Sequence, residues 1–191
     1  MVCLLPMTHD EVNMVPKNYE WTKKDKWLYI LSMIPFIVMF VGTAYLLATY
    51  SIYLSIILVA LYIITNIFQA GCCVGCPYQG KYCPALCGVY LGNLLSGILY
   101  KNRQFDQKFF KLNAAAGETM VLILVLYPLY WIFDANWYLV PIYLALIAAH
   151  FILFMSTQCE KCSYNTTCPG GRTWQKYRSQ FKIKKQNGAC D

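Results

Sequence analysis

Ten cysteines stand in this 191-residue chain, and eight of them fall in two short segments. The first, GCCVGCPYQGKYCPALC at 71–87, contains Cys72, Cys73, Cys76, Cys83 and Cys87; the second, CEKCSYNTTCP at 159–169, contains Cys159, Cys162 and Cys168. In a C-x2-C pair two sulfurs can turn toward one metal or cluster from a single tight loop, and a third cysteine about six residues on can close from another direction. Gly75, Pro77 and Gly80 in the first segment, with Pro169, Gly170 and Gly171 in the second, supply the bends such loops need. Lys81, Lys161 and Arg172 lie close in sequence, where positive charge favours thiolate over thiol.

The two segments share a register. Cys73, Cys76 and Cys83 recur 86, 86 and 85 residues later as Cys159, Cys162 and Cys168, with a tyrosine and a closing proline also matched. Scattered structural or lipid-modified cysteines would not fall into the same three-cysteine spacing twice. Three ligand assignments follow. Each segment can hold its own site, Cys73, Cys76, Cys83 and Cys87 in one and Cys159, Cys162, Cys168 with a fourth ligand in the other. Cys72 and Cys190 are both candidates for that fourth ligand, and the sequence selects neither. Alternatively, Cys73 and Cys76 join Cys159 and Cys162 in one site bridging the segments. A single four-sulfur site is commonly structural zinc. Repeats closed by C-P resemble the ferredoxin pattern, which implies iron–sulfur clusters, although the close three-cysteine run of bacterial ferredoxins is absent.

These segments must be positioned by elements that are unusually apolar. The chain is 58% hydrophobic and 13% charged, with a mean hydropathy of +0.41, outside the range of ordinary soluble domains. Four windows predict membrane-crossing helices: Trp27 to Tyr50, Ser51 to Ala70, Met120 to Phe133 with the weaker Leu112 to Thr119 ahead of it, and Trp137 to Ser156. Glu118 makes the third the least regular, and Pro35, Pro128 and Pro141 predict local kinks. The expected fold is an all-α polytopic membrane protein, two duplicated helical hairpins each followed by a cysteine-rich cytoplasmic loop. The expected segments are an N-terminal piece 1–26, a hairpin 27–70, a cysteine loop with interfacial helices 71–116, a hairpin 117–156 and a basic, cysteine-rich tail 157–191. Parallel duplication of this kind relates the halves by an axis along the membrane normal.

Charge sets the expected orientation. All sixteen Lys and Arg residues lie in the first 26 residues, between Lys81 and Lys111, or between Lys161 and Lys185, and the connections near Ser51 and at 134–137 have none. The positive-inside rule then places both termini and every cysteine on the cytoplasmic side of the cell membrane. Thiols there are normally kept reduced, which favours metal ligation or redox work over structural disulfides. The four-helix quinone-linked thiol oxidases are similar in having four spans with C-x2-C pairs near a membrane surface, but they act on the opposite side. The stretch RTWQKYRSQFKIKK at 172–185 interleaves aromatic and basic residues and suits the membrane surface.

His150 is the one histidine within a span. A continuous helix puts it about 13 Å deeper than Cys159, within range of a lipid-soluble carrier beneath a cluster; the plainer role is a hydrogen bond to a neighbouring helix. His9 lies outside the spans, so bis-histidine haem has no ligands within the bilayer region of this chain. Hydrolase, nucleotide-binding and dinucleotide signatures are absent from the sequence.

The function expected from the sequence is electron transfer through one or two cysteine-ligated iron–sulfur clusters, of the 4Fe-4S kind, at the cytoplasmic face. An acidic soluble electron carrier would dock on the basic face, a quinone-like carrier would serve as membrane acceptor, and other membrane subunits are possible partners. The alternatives are a zinc-stabilised scaffold and a thiol-disulfide oxidoreductase cycling a C-x2-C pair.

Overall fold

The computed structural model describes residues 22–80, 91–159, 162, 164, 168 and 171–179. Among these residues the α-helices run in order as α1 Lys23–Tyr50, α2 Ile52–Gly71, α3 Gly92–Leu99, α4 Gln107–Leu126, α5 Leu129–Ala135 and α6 Leu139–Phe154, the last widening into a π-turn at Met155–Cys159. Residues 171–179 are helical as well, and no strand occurs among the described residues. Four helical stretches are long and apolar enough to cross a membrane: Trp27–Tyr50, Ile52–Gly71, Gln107–Ala135 and Leu139–Thr157. Large apolar side chains such as Ile37, Val41, Ile56, Leu122 and Ile142 point outward. Water would not tolerate that surface, whereas hydrocarbon does.

A single residue turns the first hairpin. Ser51 is extended, at φ −165° and ψ 135°. Its N–H donates to Leu47 O at 2.9 Å and its carbonyl accepts from Leu54 N at 3.1 Å, so α2 starts at once and must run back along α1. Leu47, Leu58 and Leu124 are buried together at this end, flanked by Phe40, Tyr62, Tyr127 and Trp131. Tyr50 donates from its hydroxyl to Asp134 Oδ2 at 2.9 Å, joining the two connections that lack Lys and Arg.

The third span departs from the sequence expectation. Its helix begins at Gln107, where the Asp106 carboxylate accepts from Lys108 N at 3.0 Å as an N-cap. Residues 107–116, expected to form interfacial structure, are therefore the first turns of α4, and only Gly92–Leu99 makes a separate short helix. Glu118 lies within α4 and is exposed. The prolines also differ in effect. Pro35 sits inside an unbroken α1, and Pro141 occupies the first turn of α6, where its missing N–H is not needed. Pro128 alone separates two helices, α4 and α5.

The helices pack in the spatial order α4, α2, α1, α6, while α4 and α6 barely meet. Tyr143 O–H to Val125 O at 3.0 Å is a bridge between those two. The first cysteine loop is held against α3: Gln79 accepts from Gly75 N at 2.9 Å through Oε1 and donates through Nε2 to Tyr100 O at 2.9 Å. Gly80 N donates to Asn93 O at 2.9 Å, and Gly80 takes φ +72°.

Gly97 and Gly80 approach so closely that a Cβ on Gly97 would overlap the Gly80 backbone, which has no flexible end to yield. Gly97→Ala should cost about 1–3 kcal/mol through this overpacking, read as a lowered unfolding midpoint in detergent. An unchanged midpoint would show that the contact is not held in solution.

Candidate metal centre

The last turn of α2 runs on into the first loop. Cys72 N donates to Gln69 O at 3.0 Å and Cys73 N to Ala70 O at 3.1 Å, after which Gly75, at φ +73°, reverses the chain and Cys76 N returns to Cys73 O at 3.2 Å. Cys72 and Cys73 are both buried. At the end of α6 the π-turn carries Cys159 out of the regular helical register.

One tyrosine joins the two loops. Tyr164 is 4% exposed and donates from its hydroxyl to Val74 O at 3.1 Å. Its ring stacks on Phe105 with centroids 5.4 Å apart and meets Phe110 at 5.4 Å. Packed around this contact are Cys72 and Cys76 from the first loop and Cys162 and Cys168 from the second. Cys168 N donates to Tyr164 O at 2.8 Å, and Arg172 N donates to Cys168 O at 3.0 Å, so Cys168 stands where the 171–179 helix starts.

Four of the sulfur-bearing residues, Cys72, Cys159, Cys162 and Cys168, line one cavity of about 260 Å³ that extends into the bundle as far as His150 and beyond. Cys72, Cys73 and Cys159 carry free thiols. Burial pushes the Cys159 thiol up to about 12, with the neighbouring Cys162 and Cys168 adding to the effect. Among the described residues no three His, Cys, Asp or Glu side chains are gathered tightly enough to hold a metal ion. The second-loop thiols are thus within electrostatic reach of one another but not drawn together.

The residues expected to ligate divide accordingly. Cys159, Cys162 and Cys168 share the cavity, and Cys72 joins them. Cys76 packs beside this group without lining the cavity. Cys73 is buried but does not line the cavity either. Cys83, Cys87, Cys190, Lys81 and Lys161 lie outside the described residues. His150 is buried, with Nδ1 2.8 Å from Ser32 O, the bond between neighbouring helices that was the plainer expectation, and its ring also borders the cavity. Sequence reasoning passed over Gln69, a polar residue three positions before Cys72 in an otherwise apolar span, and the structure puts it on the cavity wall. No known protein family, curated protein or solved structure matches the chain.

In the metal-free protein, the raised Cys159 thiol should be almost wholly protonated at pH 8, so alkylation there should be much slower than in the unfolded chain. Its rate should go on climbing about tenfold per pH unit toward pH 12, whereas an ordinary thiol levels off near 9. Mass-spectrometric alkylation rates against pH check this, and a plateau near pH 9 would contradict the burial.

Proposed function

We propose that the chain is an electron-transfer protein of the cell membrane, with both termini cytoplasmic, that binds iron–sulfur clusters of the 4Fe-4S kind through cysteines of two duplicated loops. The observation that carries this reading is the shared lining of one cavity by Cys72, Cys159, Cys162 and Cys168. These four would hold one cluster, with Cys72 as the fourth ligand that the second segment lacks. Cys73 and Cys76, with Cys83 and Cys87, would hold another. The clusters would supply one-electron redox chemistry.

Two cysteine repeats each closed by C-P favour clusters, as in the ferredoxin pattern, over the single four-sulfur site common for zinc. The start of the 171–179 helix at Cys168 adds the positive end of a helix dipole, which favours an anionic centre.

Packing supports the proposed duplication. An axis along the membrane normal that exchanges the two hairpins carries the contact between α2 and α4 onto the contact between α6 and α1, and both are extensive. Charge supports the orientation. Lys23 and Lys24 open α1, Lys101, Arg103, Lys108 and Lys111 surround the start of α4, and Arg172, Lys176 and Arg178 follow α6, all exposed and all at the cysteine end of the bundle. This face suits docking of an acidic soluble electron carrier.

Anaerobic purification of the whole protein tests the reading. Brown colour with iron and acid-labile sulfide is expected. A colourless protein with stoichiometric zinc would replace it with a scaffold, and a metal-free protein whose C-x2-C pairs cycle would replace it with a thiol oxidoreductase. Cys72→Ser and Cys162→Ser should each remove about half of the iron, and the double variant no more than either, because both substitutions empty one site. Cys76→Ser should remove the other half. Retention of full iron by Cys72→Ser would show that the fourth ligand lies elsewhere.

A further inference from the structure

The cavity that touches the cysteines is a slot between α4 and α6. These two helices barely meet, so α1 and α2 form its floor, and the bond from Tyr143 to Val125 O crosses it on the side away from the cysteines. A gap this size in a bilayer does not stay empty of both protein and solvent atoms without losing their dispersion contacts, and its apolar wall gives water little to bind. An apolar cavity of about 150 Å³ already holds benzene. About 260 Å³ therefore accommodates a substituted ring. Phe36, Tyr62, Phe151 and Phe154 supply flat apolar walls for one.

Polar groups decide which occupant fits. Gln69 lies on the wall, and its Oε1 is buried without a hydrogen-bond partner. It faces α4 at Gly117, where an added Cβ would come 3.2 Å from Gln69 Cγ, so the missing side chain there makes room for the amide. Glu118, the next residue, places a carboxylate at the rim. An acyl chain would leave the buried Gln69 oxygen unanswered. A ring bearing a hydroxyl group answers it, because the hydroxyl donates one hydrogen bond.

We propose that this slot binds a lipid-borne quinol, the reduced form of the membrane acceptor, with a ring hydroxyl donating to Gln69 Oε1 and the isoprenoid tail leaving between α4 and α6 into the bilayer. The position deepens the electron-transfer reading and takes its purpose from it: Gln69 is one helical turn from Cys72, so the ring would sit beside the proposed cluster. Binding itself depends only on the slot.

The test uses the full chain in detergent, stripped of native lipid, with a short-tailed ubiquinol analogue and an alkylbenzene of the same tail that lacks ring oxygens. Equilibrium dialysis gives the affinities. The quinol should bind at least about tenfold more tightly than the alkylbenzene, and Gln69→Leu should weaken the quinol by about tenfold while leaving the alkylbenzene unchanged. Val121→Trp, which fills the slot from α4, should abolish both; if that variant does not fold, Gln69→Leu alone decides. Equal binding of the two compounds, or full quinol affinity in Gln69→Leu, would overturn the proposal and mark the slot as a site for lipid chains. Iron and sulfide are measured on the same samples. Quinol binding by a protein without iron would leave this site standing and remove the electron-transfer reading, and iron without quinol binding would do the reverse.

Discussion

The Tyr164 phenol is the contact on which the arrangement of the cysteines depends. A helix ends with carbonyls that have no partner within it, and the turn from Cys72 to Gly75 leaves the Val74 carbonyl in that condition. Tyr164 answers it with a buried hydrogen bond while its ring packs against both Phe105 and Phe110. One side chain therefore fastens the end of α2, the approach to α4, α4 itself and the second cysteine loop. Buried tyrosine is suited to this because its body gains from apolar packing and its hydroxyl gains from an acceptor at one defined place. Cys162 and Cys168, on either side of Tyr164 in sequence, are brought to Cys72 as a consequence.

The second constraint is the asymmetry between the hairpins. α1 and α2 turn through one residue and pack along one another, whereas α4 and α6 are held apart. Pro128 supplies a cause. It ends α4 and restarts the span as α5, and it is α5 that stays with α6. The proposed duplication would thus have kept the contacts between hairpins and opened the contact within one of them. A closed pair would bury that apolar surface, so the open pair retains surface for something else to cover.

Most of the architecture was legible because it rests on length and hydropathy, which a membrane-crossing helix cannot avoid. The start of α4 was not. Gln107, Lys108, Lys111 and Asn113 lower the local hydropathy, but the Asp106 cap and the absence of any proline before Leu126 decide where the helix begins. The placement of Cys72 was not legible for a different reason. Aligning the two segments puts Cys73 in register with Cys159 and leaves Cys72 unmatched. Because the helical turn continues through both, their side chains diverge by about 100°, and Cys72 is packed in one cluster with Tyr164 of the second loop. Alignment reports register, while the direction of a side chain depends on where the helix stops. Gln69 was missed because a lone amide in an apolar run has no signature until its neighbours are known.

Burial separates the kinds of chemistry open to Cys159 and Cys162. A cycling thiol needs an accessible, easily ionised nucleophile, commonly favoured by a helix N-terminus or a nearby cation. Cys159 stands instead at the end of α6, partly buried, with its thiol pushed up and two further thiols beside it. Each of these features weakens exchange at neutral pH. A metal centre reverses the balance, since its positive charge replaces the proton on each sulfur and turns the crowding of thiolates from a cost into coordination. The same apolar wall that suppresses the free thiolate would then shield a cluster from water, and solvent exposure is one of the quantities that sets a cluster's potential. The surroundings of the second C-x2-C pair therefore favour a site for holding metal over one for exchanging disulfides.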